Sequence, residues 1–246
     1  MPPNPPWIRP PREDAALRLF CLPYAGGGSA DFRQWRELLP PSIDVVPTIY
    51  PARERLFSQP PTRRMGPLVE QLADALFPHT HRPYALHGHS MGAWVAFELA
   101  RTLRRRGAPP PVHLVVCARR APHLPSEDTP LWSLPQDALL GGLERRYGAM
   151  GAEVRADPEL LRLFLPMLRA DLEVLDTHVH TSDAPLDTPI TAFGGTDDHA
   201  VPEHELRAWS VHTTAGFQFE AIPGGHFFHR GPNAAFVARI AQLLGG

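Results

Sequence analysis

The stretch YALHGHSMGAWVAFELARTL, Tyr84 to Leu103, reads as strand, tight turn and helix in that order. Tyr84, Ala85 and Leu86 make an apolar β-like run. Gly88-His89-Ser90-Met91-Gly92 follows, and then a long helical pattern in which Gly92, Ala96 and Ala100 form a stripe of small residues. A Gly-x-Ser-x-Gly pentapeptide between strand and helix is the spelling of a nucleophile elbow. The turn is sharp, so positions two either side of the serine approach strand and helix closely and have room only for glycine. Ser90 is thereby presented at the carboxyl end of a strand, beside the unpaired N–H groups that open the next helix, and the Met91 N–H is placed to hold an oxyanion. The plain alternative is a solvent-facing turn serine.

Outward from this stretch, strand and helix patterns alternate. Leu17 to Leu22 is the first strand, and Phe32, Trp35, Leu38 and Leu39 recur after it at helical spacing. Ile43 to Ile49 is a strand, Pro67 to Phe77 a helix, Val112 to Cys117 a strand, Pro189 to Phe193 a strand, and Glu203 to Trp209 a short helix. Phe217 to Ile222 is the last strand, and Pro232 to Leu244 a terminal helix. Such alternation predicts an α/β fold, a mostly parallel sheet with helices on both faces. It lapses from about 122 to 187, where two helical patterns, Pro135 to Tyr147 and Asp157 to Asp176, suggest an inserted helical lid. Residues 1–16 read as a proline-rich, poorly ordered arm ahead of the domain.

Composition excludes several classes. A formal net charge of −2 argues against wholesale nucleic-acid binding. No run reaches transmembrane length, and the early prolines break any signal-peptide core, so a soluble cytoplasmic chain without a membrane role is expected. Cys21 and Cys117 each close an apolar run and should behave as small buried hydrophobes. The chain has no lysine, so none can serve as base or nucleophile.

A serine needs a base, and the base needs a group to hold its tautomer. His226 follows two glycines after the last strand; His229 and His89 are the other candidates, the latter pointing away from Ser90. The acid is Asp198 or its neighbour Asp197. The spacing Gly195-x-x-Asp198-x-x-Val201 favours Asp198. The chain order Ser, Asp, His is that of α/β-hydrolases. The glycines of Pro23-Tyr24-Ala25-Gly26-Gly27-Gly28 suit a second oxyanion donor, the Ala25 N–H, better than a dinucleotide cradle, which would need a further glycine and a placed acid. His79 with His81, and His178 with His180, lack the carboxylate or cysteine that would complete a metal set.

LFCLPYAGGGSADF, YPARERLF, YALHGHSMGAWVAFELA, FLPMLRADLEVLDTH and PGGHFFH together resemble the type II thioesterases that accompany polyketide synthases and nonribosomal peptide synthetases. The resemblance implies an α/β-hydrolase fold with a lid, acting on acyl thioesters carried by the phosphopantetheine arm of carrier proteins. It implies Ser90 as nucleophile, His226 as base, Asp198 as acid, and Ala25 and Met91 as backbone donors. His199 departs from the proline common after that aspartate. No metal or diffusible cofactor is implied, since the pantetheine belongs to the substrate, and a monomer is expected. Arg53, Arg55, Arg119, Arg120 and Arg145 are position-based candidates for docking an acidic carrier. A carboxylesterase or lipase, and a hydrolase-fold receptor binding an acyl ligand without turnover, are the alternative readings.

Overall fold

Six parallel strands form one sheet in the order β2-β1-β3-β4-β5-β6. They are β1 Leu17–Leu22, β2 Ile43–Pro47, β3 Tyr84–His89, β4 His113–Cys117, β5 Ile190–Gly195 and β6 Phe217–Ile222. The helices are α1 Trp35–Leu38, α2 Met65–Leu76, α3 Met91–Arg105, α4 Gln136–Tyr147, α5 Pro158–Asp176, α6 Glu203–Arg207 and α7 Ala234–Leu243. This computed structural model describes residues 7–125, 128–148, 157–230 and 233–245. The expected start of the terminal helix at Pro232, residues 1–6 of the arm and parts of the insertion lie outside the described residues.

Alternation along each strand divides the core in two. Phe20, Leu22, Leu86, Leu114, Val116 and Ala192 belong to one apolar cluster, with α2 and α3. Their neighbours Leu19, Cys21, Ala85, Val115, Cys117 and Phe193 belong to the other, with α1 and α7. Successive strand side chains point to opposite faces, so strands apolar at every position require cover on both sides. Cys21 and Cys117 are free and buried, and burial pushes both thiols up. No helix among the described residues is long and apolar enough to cross a membrane.

Two expectations need correction. The arm is docked from residue 7 onward: Trp7 and Ile8 are buried, the Trp7 carbonyl accepts from the Ile49 N–H at 2.8 Å, and Arg9 pairs with the buried Asp44. A tryptophan, an isoleucine and the need of Asp44 for a cation outweigh the prolines. The pattern after β1 gives only a 3₁₀ turn, Ser29–Phe32, and the single turn α1, with Leu38 exposed.

Because all strands are parallel, the loops after all six leave the same edge of the sheet, where α/β folds place their ligands. The buried face also holds ionisable rings. His87 packs among Phe32, Trp35 and Phe236, and burial lowers its pKa to about 3; His212 is lowered to about 4, by burial and then by His123. Such a ring stays neutral in the fold but takes a proton near 6.5 when unfolded. Its contribution is complete above that pH and lost as pH falls toward the folded value. Urea titrations should therefore show stability falling below pH 6.5, by about 1.4 kcal/mol per pH unit for His87. The slope should be shallower in His87→Leu.

Candidate active site

The elbow is strained and held. Ser90 has φ +52° and ψ −113°, a conformation that L-residues rarely adopt. Its N–H donates to the Cys117 carbonyl at 2.8 Å, which ties the turn to the end of β4. A Cβ on Gly88 would collide with the Gly92 carbonyl, and one on Gly92 with the carbonyl of Leu22 at the end of β1. Both glycines are therefore required by close approach, and α3 begins directly at Met91.

Ser90, Asp198 and His226 meet above this edge, all buried. His226 Nε2 lies 3.1 Å from Ser90 Oγ, and His226 Nδ1 lies 2.9 Å from Asp198 Oδ2. A carboxylate at Nδ1 fixes that nitrogen as donor, so Nε2 presents its lone pair to the serine hydroxyl. The arrangement can move a proton from Ser90 to His226 while Asp198 stabilises the resulting imidazolium. Asp198 Oδ1 accepts from the Ala200 N–H at 2.9 Å, whereas Asp197 is exposed. The two loops are zipped together: Thr196 N–H donates to the Ile222 carbonyl and Asp197 N–H to the Gly224 carbonyl, each at 2.9 Å. That contact needs Gly195, where a Cβ would strike the Gly224 carbonyl.

The other two histidines sit behind the relay. His89 and His229 lie in tilted contact with ring centroids 3.7 Å apart, and burial, followed by neighbouring histidines and, for His229, Arg230, holds both well below the usual range. They remain neutral, and neither is hydrogen-bonded to Ser90.

The glycine loop after β1 closes on itself. Gly27 N–H donates to the Tyr24 carbonyl at 2.9 Å, making a β-turn with Gly26 at φ +82°, the left-handed value that favours glycine. Gly26 N–H donates to Asp171 Oδ2 at 2.8 Å, and Gly28 N–H to Asp31 Oδ2 at 2.9 Å. Among the described residues, no group accepts from the N–H of Ala25 or of Met91. Ala25 and Ser90 share the wall of a cavity of about 280 Å³, otherwise mostly apolar, whose roof includes Phe164, Leu168 and Leu172 of α5. Tyr147 of α4 leans on His226 in a tilted contact, with ring centroids 4.5 Å apart.

The arginines rearrange the sequence expectation most. Arg53 is buried, bound to both oxygens of Asp171 at 2.7 and 2.8 Å and to the Gly27 carbonyl at 2.7 Å. Arg53 is therefore no docking residue. Arg119 is buried with its guanidinium 3.8 Å from the Trp94 ring centroid, and Arg120 is buried and paired with Asp128. Arg55 and Arg145 are exposed. Arg230, absent from the sequence-based set, is exposed at the cavity mouth, its guanidinium over the rings of Phe227 and Tyr24. Its place four residues beyond His226 was the available signal. Among the described residues, no group of three or more His, Cys, Asp or Glu is arranged to hold a metal ion.

The family profile of the thioesterase domain matches residues 17–243. The chain belongs to the thioesterase family. It is a hydrolase acting on thioesters. RedJ, a thioesterase from the prodiginine biosynthetic pathway in Streptomyces coelicolor, is 40% identical, with a TM-score of 0.87 over 93% of this chain and 86% of RedJ. YbtT, a type II thioesterase from the yersiniabactin NRPS/PKS biosynthetic pathway, is 31% identical, with a TM-score of 0.84 over 96% of each chain. These neighbours establish the α/β-hydrolase fold. Linear gramicidin dehydrogenase LgrE of Brevibacillus parabrevis is 36% identical over 97% of this chain and 92% of its own length. The word dehydrogenase finds no support in the glycine loop, whose amides bind Asp171 and Asp31 and so surround any would-be phosphate with carboxylates.

Adjacent carboxylates make a sharp comparison. In steady-state thioester hydrolysis, Asp198→Asn is expected to lower kcat by about 10³ to 10⁴-fold, because the histidine loses its tautomer. Asp197→Asn should stay within about twofold of wild type, as surface substitutions usually perturb little.

Proposed function

We propose that this thioesterase hydrolyses acyl thioesters presented on the phosphopantetheine arm of carrier proteins, clearing stalled or aberrant acyl groups from a polyketide or nonribosomal peptide synthase. The observation that carries the reading is the hydrogen-bonded line Ser90–His226–Asp198 at the wall of an apolar cavity roofed by the inserted helices. An apolar chamber suits an acyl chain, and the relay suits a reactive carbonyl at its mouth.

His226 takes the Ser90 proton as Oγ attacks the thioester carbonyl. The oxyanion forms against the N–H groups of Ala25 and Met91, and the C–S bond breaks as His226 returns the proton to the departing thiolate sulfur. Water then attacks the acyl-serine, giving its proton to His226, and the acid leaves as Ser90 is reprotonated. No step uses a metal or diffusible cofactor. Helices α4 and α5 act as the lid, with Tyr147, Leu168 and Leu172 fitting the acyl chain. The carrier's acidic face would meet exposed arginines, Arg230 at the cavity mouth first and then Arg145 and Arg55.

A panel of acylated carrier proteins, acyl-pantetheine and a simple oxygen ester tests the proposal. Carrier-bound thioesters should show the highest kcat/KM, falling steeply with salt, while acyl-pantetheine responds weakly. Arg230→Glu should lower kcat/KM on the carrier about tenfold or more and change acyl-pantetheine turnover little. Equal salt response of both thioesters would remove the docking role, and faster turnover of the ester would favour an esterase.

A further inference from the structure

The buried pair Arg53–Asp171 takes no part in the proton relay, yet it joins three segments far apart in the chain. Arg53 follows β2, Asp171 lies in α5, and both grip the glycine loop after β1. Asp171 Oδ2 accepts the Gly26 N–H at 2.8 Å while Arg53 Nη1 donates to the Gly27 carbonyl at 2.7 Å. The turn is thus held at a donor and at an acceptor by two groups locked to each other through two further hydrogen bonds. Next to it, Glu54 takes the N–H and hydroxyl of Ser29, at 2.6 and 2.5 Å. Of the four amides from Ala25 to Gly28, three are committed within the protein: Gly26 to Asp171, Gly27 to Tyr24, Gly28 to Asp31. The remaining one belongs to Ala25, on the cavity wall that also holds Ser90.

Burying two charges is costly, and a well-packed apolar pair often gives equal or greater stability. An apolar contact would hold the loop near α5 but would not set the rotation of its peptide planes. Charged, directional hydrogen bonds do. We propose that Arg53 and Asp171 are positioning residues that aim the Ala25 N–H at the developing oxyanion, making α5 a working part of the oxyanion site as well as a roof. The inference rests on the functional reading above. It has a consequence for motion: carrying α5 away from the sheet would break the clamp and misdirect the amide together, so the open form would bind acyl groups without reacting.

The test separates positioning from stability. Asp171→Asn and Arg53→Lys are made in the full chain, with Arg53→Lys standing in if the first does not fold. Thermal midpoint, kcat and KM on acyl-pantetheine are measured for each. So are the affinities for an acyl trifluoromethyl ketone, which forms an oxyanion on the serine, and for the matching secondary alcohol, which does not. The expected result is a kcat lowered about 10- to 100-fold with KM within about threefold, part of the 10² to 10³ lost when a whole donor is removed. Ketone affinity should fall by a similar factor and alcohol affinity should not. A folded variant with lowered thermal midpoint but wild-type kcat and ketone affinity would reduce the pair to a structural tie and overturn the proposal. An equal loss for ketone and alcohol would also overturn it, since the pair would then serve ground-state binding. Turnover by the wild-type chain tests the functional reading separately, while the ketone-to-alcohol ratio reads the clamp whatever the natural acyl donor is.

Discussion

A serine at φ +52° persists only where its surroundings over-determine it, and here they do. The backbone strain, of order 1–3 kcal/mol for a residue in such a region, is held by the Ser90 N–H bonded to Cys117 and by Gly88 and Gly92, which let strand and helix close on the turn. Ala118, at φ +50°, shows a second unusual turn at the end of the neighbouring strand. The two distortions share the hydrogen bond between Ser90 and Cys117, so the edge of the sheet carries its strain where Ser90 projects. Elsewhere the strands are regular and their register unbroken.

Around this point the structure assigns charge sparingly. The histidines beneath the relay, His87, His89 and His229, are kept neutral by burial, which leaves His226 as the ring with a carboxylate on one nitrogen and a hydroxyl on the other. Three of the buried arginines are answered in turn: Arg53 by Asp171, Arg120 by Asp128, and Arg119 by the face of Trp94. Burial draws the pKa of Arg119 down, and the aromatic face supplies a compensating attraction. The same economy appears in the glycine loop, where the amides of Gly26, Gly27 and Gly28 each have an acceptor in the protein.

Some features were legible because they are written locally. Glycines two residues either side of a serine, between an apolar run and a helical pattern, state a steric demand that the elbow meets. Alternating strands and helices entail a parallel sheet, and the order Ser90, Asp198, His226 names three loops that such a sheet brings to one edge. The stripe Gly92, Ala96, Ala100 announced close packing for the same reason, and all three are buried.

What the amino-acid order could not decide were matters of partnership across long separations. Arg53 looked like a surface cation because its partner stands 118 positions away, in helix α5 of the insertion. Trp7 and Ile8 looked like part of a loose arm because the groove that receives them, beside β2, exists only after the sheet has formed. Between Asp197 and Asp198 the spacing leaned one way, but it took the folded contact of two glycine loops to turn one carboxylate inward and leave its neighbour in water. Periodicity and backbone sterics act over a few residues and can be read along the chain. The burial of a charge is settled by what arrives from elsewhere to meet it.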